Sequence, residues 1–357
     1  MLFGGAERVM SILANSFAKN GHEVGLILMN DDRTLAYELD ENIVVDYMPG
    51  ARFNSFKQIF RMFKSLRDLI KGRAPDIIIS FFSSTATFAY ISSLGQKIPL
   101  IYSERNDPHN NIKGWKNKMF QHVALRCARR IVFQTPGARN YYGQNIQKKS
   151  TIILNPLDCE KLPERKAECI DDRIVTVGRL YPQKNHKMLI NAFSMSKAKE
   201  THSLHIYGEG SLRNELEKKI IEMNLTDKVF LEGTSKSVHE DIKNAKLFAF
   251  TSDYEGLPNA LIEAMAIGIP CVSTDCSPGG AKMIINDGEN GRLIECGNAE
   301  AFARALDDTL FNREKQEKFS ANGINIRHRV ATGKITDEWL NFINTVVKNR
   351  KSLLQNT

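Results

Sequence analysis

The residues with most to say about chemistry lie in one stretch, Ser252-Asp253-Tyr254-Glu255-Gly256-Leu257-Pro258-Asn259-Ala260-Leu261-Ile262-Glu263-Ala264-Met265-Ala266-Ile267-Gly268-Ile269-Pro270. The apolar run before it, Leu247-Phe248-Ala249-Phe250, reads as a buried parallel strand. Pro258 suits the first turn of a helix, and Gly268 with Pro270 ends it. Glu255 then sits in a loop at a strand's C-terminal end, and Glu263 on the helix that follows. Between them a helix N-terminus presents backbone N–H groups, a natural cradle for an anion such as a diphosphate. Ligands of open α/β sheets bind at this edge. Taken alone, the pair is also what a solvated loop glutamate and an ordinary helix-face glutamate would give.

The elements that must position these groups alternate strand and helix from end to end. The fold class is therefore α/β, with two Rossmann-like domains facing a cleft. The length of 357 residues agrees with two domains. Asn155-Pro156 breaks the chain and opens a linker over residues 155–172. The expected division is an N-terminal domain over 1–155 and a C-terminal domain over 156–335, followed by a last helix over 336–357. No apolar run approaches the ~20 residues that cross a bilayer, and the opening lacks the basic and apolar regions of a signal peptide. The six cysteines show no metal-ligand spacing and read as reduced thiols of a cytoplasmic protein.

The net charge of +8 is uneven: residues 1–150 hold 21 Lys and Arg against 12 Asp and Glu, and the rest of the chain is close to neutral. A basic half suits nucleic acid, an anionic membrane surface or a phosphorylated substrate. No aromatic-basic module supports nucleic acid. Residues 52–73 carry Arg52, Lys57, Arg61, Lys64, Arg67, Lys71 and Arg73 against Asp68 alone. Phe56, Ile59, Phe60, Phe63, Leu66 and Ile70 share a helical face. Such a helix packs its apolar face on a sheet, and its basic rim can meet lipid headgroups.

Glu255-Gly256-Leu257-Pro258 followed by Glu263-Ala-Met-Ala-Ile-Gly-Ile-Pro270 resembles the signature of the family-4 retaining glycosyltransferases, which use nucleotide sugars and have the two-domain glycosyltransferase B fold. The resemblance implies that Glu263 holds the ribose hydroxyls and that Glu255 contacts the donor sugar, with Gly256, Leu257, Pro258 and Asn259 lining the donor. It extends to Gly178-Arg179-Leu180-Tyr181-Pro182-Gln183-Lys184-Asn185, where Arg179 and Lys184 would grip the donor diphosphate beside Gly178. Breaking a sugar–phosphate bond builds charge on the diphosphate, and fixed cations stabilise it most in the transition state. Gly208-Glu209-Gly210 is another family-like loop near the nucleotide, and Gly233 and Thr234 would border the nucleobase. The resemblance also implies that the last helix crosses back to the first domain.

In the first half, Gly4-Gly5-Ala6-Glu7-Arg8 resembles the family's first glycine-rich turn, with Gly4 and Gly5 close to the donor phosphate or the acceptor. The family's strand before this turn is absent, so the first strand of the N-terminal domain is expected to be missing. Glu104, Arg105 and His109 follow the strand Pro99–Ser103 and are candidate acceptor-side groups; a salt-bridged loop is the other reading. No Asp-x-Asp motif occurs, so neither metal nor cofactor is expected. The implied function is retaining transfer of a hexose or N-acetylhexosamine, from a UDP-linked donor to a polyprenyl-diphosphate-linked saccharide in surface-polysaccharide synthesis. The place would be the inner face of the cytoplasmic membrane. The alternatives are a non-catalytic nucleotide-sugar-binding subunit, or an epimerase or phosphorylase of the same fold.

Overall fold

The structure is a computed structural model and describes residues 5–29, 35, 37–48, 56–110 and 114–355. The chain divides into two compact units, Met1–Leu157 with Val330–Thr357, and Asp158–Arg329. The divisions lie at 157/158 and 329/330, against expected ones at 155/156 and 335/336; Leu157 N donates to Val330 O at 2.8 Å, and Leu157 bridges Ala331.

The first unit begins with α1 (Gly5–Lys19), β1 (Gly25–Met29), β2 (Val44–Met48), α2 (Phe56–Arg73), β3 (Ile78–Ser80) and α3 (Ser83–Ser92). It continues with β4 (Leu100–Ser103), α4 (Trp115–Cys127), β5 (Arg130–Phe133), the short helices α5 (Pro136–Asn140) and α6 (Gln144–Gln147), and β6 (Ser150–Ile152). All strand pairs are parallel. Among the described residues they form two sheets, β1-β2 and β3-β4-β5-β6. The four-stranded sheet is buried on both faces, as crossover helices require, with Ile101, Ile131, Val132 and Phe133 fully enclosed.

The basic helix α2 packs on α3, where Phe63 meets Phe88 edge to face at 5.6 Å, and Phe88 in turn meets Phe120 of α4 at 5.5 Å. Its buried stripe is Met62, Leu66 and Ile70, while Phe60 is 71% exposed. The expectation that Phe60 faces the core is thus corrected. At 3.6 residues per turn, the face centred on Met62, Leu66 and Ile70 leaves Phe60 on its solvent flank. Two of the cations also turn to the protein. Arg67 donates to Ser92 O and Leu94 O at the end of α3, and Arg73 pairs with Asp46 at 3.0 Å.

The second unit contains β7 (Arg173–Val177), α7 (His186–Met195), β8 (Ser203–Tyr207), α8 (Arg213–Glu222), β9 (Val229–Gly233), α9 (Val238–Ile242) and β10 (Leu247–Phe250). Then come α10 (Asn259–Ile267), β11 (Cys271–Thr274), α11 (Gly280–Ile284), β12 (Arg292–Ile294), α12 (Ala299–Leu310) and α13 (Arg313–Gly323). Its single parallel sheet has the order β12-β11-β10-β7-β8-β9. The chain proceeds outward from β7 to β9 and then restarts on β7's other side at β10. The seam between β7 and β10 is therefore the topological switch point, where the loops beyond the strands diverge and leave a crevice.

Helix α14 (Arg327–Val330) leads to α15 (Thr332–Gln355), which completes the first unit. Thr336 Oγ1 of α15 donates to Ser16 Oγ of α1 at 2.7 Å. Trp339 is fully buried, with its ring 6.3 Å from that of Phe81.

Candidate active site

The switch point of the second unit carries the two loops singled out by sequence. Beyond β7, Gly178–Asn185 runs beside Thr251–Pro258 beyond β10, and the two are stitched together. Asp253 N donates to Gln183 O at 2.9 Å, Gln183 Nε2 to Tyr254 O at 2.8 Å, Asn185 Nδ2 to Asp253 Oδ1 at 2.7 Å, and Thr251 Oγ1 to Lys184 O at 3.0 Å. At the centre Lys184 Nζ donates to Glu255 Oε1. Their side chains are 18% and 14% exposed, and Ser252 Oγ also donates to Glu255 at 3.3 Å. A cation and a carboxylate largely withdrawn from water hold each other strongly and resist the loss of either partner. Arg179, by contrast, is exposed, with its guanidinium 5.0 Å from the Tyr181 ring centroid.

Glycine is needed where these loops abut their neighbours. A Cβ on Gly208 would lie 2.1 Å from Gly178 O, at a φ of +141°, and one on Gly210 would lie 2.5 Å from Leu180 O. The Gly208-Glu209-Gly210 loop is therefore locked to the Arg179 loop, with Gly178 N donating to Tyr207 O and Leu180 N to Glu209 O, both at 2.9 Å. Glu209 itself pairs with Arg213 at 2.7 Å. Gly233 O accepts from Gly208 N at 2.7 Å, and the adjacent Thr234 is exposed.

Pro258 is the N-cap of α10, one residue ahead of the helix rather than inside its first turn, and Gly256 and Leu257 are buried beneath it. Asn259 opens the helix. Gly268 closes it at a φ of +92°, with Ile269 N returning to Ala264 O at 3.0 Å. Every residue from Leu261 to Ile267 is buried, Glu263 among them. Its Oε2 lies 2.8 Å from Nε2 of His239 on α9.

Sequence reasoning missed His239, which no local spacing links to Glu263. It also missed His186, which follows the left-handed N-cap Asn185 and lies 2% exposed under the Arg179 loop. Burial, helped by the charge of Lys184, pushes the His186 imidazole down to about 4, so it is neutral at pH 7. Burial also pushes the Cys271 and Cys276 thiols up, which leaves them unreactive.

In the first unit, Glu104 and Arg105 are buried at the C-terminal end of β4, while His109 is exposed and packs edge-on to Tyr141 with centroids 4.4 Å apart. The salt-bridged reading of this loop is corrected. Glu104 accepts from Tyr102 OH at 2.7 Å, Gln121 Nε2 at 2.9 Å and Asn106 N at 3.2 Å. Arg105 turns the other way and donates from Nη1 to Asn155 Oδ1 at 2.5 Å. Burial, then the nearby Glu104 carboxylate, raises the Tyr102 and Tyr142 phenols well above their usual range. Gly5 is exposed at the start of α1, and Gly4 lies outside the described residues.

The model described as glycosyltransferase family 4 matches residues 3–161, and that of glycosyl transferases group 1 matches residues 163–326. A Campylobacter jejuni protein, N-acetylgalactosamine-N,N'-diacetylbacillosaminyl-diphospho-undecaprenol 4-alpha-N-acetylgalactosaminyltransferase, is 31% identical over 337 residues, 89% of this chain and 90% of its own. The chain belongs to the family-4 glycosyltransferases. A second Campylobacter jejuni enzyme, GalNAc-alpha-(1->4)-GalNAc-alpha-(1->3)-diNAcBac-PP-undecaprenol alpha-1,4-N-acetyl-D-galactosaminyltransferase, is 29% identical to this glycosyltransferase over 97% of the chain and 96% of its own.

Among solved structures, Anabaena Alr3699/HepE in complex with UDP matches with a TM-score of 0.82 at 17% identity, over 96% of each chain. The apo lipopolysaccharide outer core galactosyltransferase WaaB matches with a TM-score of 0.75 at 20% identity, also over 96% of each. The glycosyltransferase thus has the two-domain glycosyltransferase B fold, with parallel sheets in both units. Among its described residues no helix is long and apolar enough to cross a membrane.

Proposed function

We propose that this glycosyltransferase moves a hexose or N-acetylhexosamine from a UDP-linked donor to a polyprenyl-diphosphate-linked saccharide, with retention of anomeric configuration. The observation that carries the reading is the meeting of Lys184 and Glu255 at the switch point of the second unit, with Glu263 on the helix that leaves it. Glu263 holds the ribose hydroxyls and Glu255 faces the donor sugar. When the anomeric carbon–oxygen bond breaks, its electron pair leaves with the diphosphate. Arg179, Lys184 and the N-terminal turn of α10 stabilise that charge without a metal. The acceptor hydroxyl attacks from the same face and passes its proton to the departing phosphate. Both Campylobacter relatives are named as N-acetylgalactosaminyltransferases of diphospho-undecaprenol-linked saccharides, which supports the acceptor class.

We further propose that the enzyme works at the inner face of the cytoplasmic membrane. Phe60 and Trp115 are each 71% exposed, on helices that also expose Lys57, Arg61, Lys64, Lys116 and Lys118. Exposed aromatics among cations suit the boundary of an anionic bilayer. The test is to incubate the purified chain with a panel of nucleotide sugars without acceptor and follow free nucleotide. Slow hydrolysis of one UDP-sugar, lost in Arg179→Ala and Glu255→Ala, is the expected result. Silence across the panel from a folded chain that also binds no UDP overturns the reading.

A further inference from the structure

Arg105 is 9% exposed and its guanidinium lies over the Phe81 ring at 3.9 Å. Nη1 donates to Asn155, but Nε and Nη2 are sealed from water and have no hydrogen-bond partner among the described residues. These two donors project side by side from one edge of the guanidinium, the geometry that grips two oxygens of a single oxyanion. Two residues earlier, Ser103 Oγ is equally buried and likewise without a partner among the described residues.

The carboxylates next to Arg105 in sequence are engaged elsewhere. Glu104 is taken by Tyr102, Gln121 and Asn106 N, and Asp107 accepts from His109 N at 2.9 Å and Asn110 Nδ2 at 2.7 Å. Burial pushes the guanidinium down to about 9, which leaves it charged at neutral pH. A buried cation with no counter-charge among the described residues is costly, and an apolar side chain would fill the place better if filling were its task.

We propose that this unpartnered edge of Arg105 is an oxyanion subsite that takes two terminal oxygens of a phosphoryl group on the acceptor substrate. The assignment rests on the transferase reading above, in which the acceptor carries a diphosphate.

The experiment is calorimetric titration of inorganic pyrophosphate into the full chain held at saturating UDP, for the wild type, Arg105→Lys and Arg105→Met, with thermal unfolding as the folding control. The wild type binds one equivalent. Arg105→Lys, which cannot offer two parallel donors, binds it at least tenfold more weakly, and Arg105→Met loses it. UDP affinity is the same in all three. Unchanged binding in Arg105→Lys, or no pyrophosphate bound by the UDP-saturated wild type, overturns the proposal. A fall in UDP affinity on changing Arg105 also overturns it, by giving the arginine to the donor. Malonate titrated in the same way is the carboxylate arm, and tighter binding of malonate than of pyrophosphate overturns the phosphoryl assignment. Failure of UDP itself to bind would count against the transferase reading, whereas loss of the pyrophosphate equivalent alone counts only against the subsite.

Discussion

Lys184 donates a hydrogen bond to Glu255 across the seam where the second unit's sheet changes direction, joining residues 71 positions apart. On the proposed mechanism the pair serves both stability and chemistry, and the two can be separated. Lys184→Met and Glu255→Met each strand a charge that is largely withdrawn from water, so each lowers the melting temperature. The double variant regains most of that loss, because both charges are gone. Turnover behaves differently: it falls about 100-fold or more in Lys184→Met, as for loss of a group that stabilises transition-state charge, and the double variant does not recover it. Melting curves and nucleotide-release rates on the same four proteins check this.

The contact between the loops after β7 and β8 predicts that Gly208→Ala is severe. The added Cβ would meet Gly178 O at 2.1 Å, and the backbone φ is +141°. Strain of this kind costs about 1–3 kcal/mol before any backbone shift is counted. Because the loop that moves carries Arg179, donor affinity should fall along with the melting temperature. UDP titration and thermal unfolding of the variant measure both.

His186 sets a pH dependence of stability. Its folded pKa of about 4 lies below the ordinary value of 6.5. Between those values the unfolded chain binds the proton that the folded chain refuses, so stability rises with pH through this window and is lost as pH falls. The difference corresponds to roughly 3 kcal/mol between pH 7 and pH 4. Urea unfolding of His186→Gln at these two pH values should show a smaller acid-side loss than the wild type.

His239 fixes the carboxylate of Glu263 through the 2.8 Å contact. Removing one such hydrogen bond is worth about 1 kcal/mol. His239→Ala should therefore raise the UDP-sugar KM about fivefold with kcat little changed. A fall in kcat at constant KM would count against a role confined to nucleotide binding.

The exposed aromatics of the first unit predict membrane partition. Phe60→Ser with Trp115→Ser should weaken sedimentation with phosphatidylglycerol vesicles at every salt concentration. Lys64→Glu should weaken it chiefly at low salt, where charge attraction is least screened. Both variants should hydrolyse UDP-sugar at the wild-type rate, since neither touches the donor site.

By itself the sequence determined the α/β class and the family, and it named the residue types of the proposed donor site. Those signals are local: a strand, a loop carrying Glu255, a helix carrying Glu263, and the Gly178–Asn185 loop each declare themselves within about twenty residues. It could not show that β7 and β10 are neighbours, because strand order is set by long-range pairing, and that adjacency brings Lys184 to Glu255, while the packing of α9 on α10 at either end of β10 brings His239 to Glu263. The same limit applied to Phe60, whose side of α2 was decided by which stripe of the helix met α3. Arg105 shows the point most sharply. In sequence it stands beside Glu104 as if paired, yet successive side chains at the end of a strand diverge to opposite faces. Packing then gave Glu104 to Tyr102 and Gln121 and left one edge of the Arg105 guanidinium without a partner among the described residues.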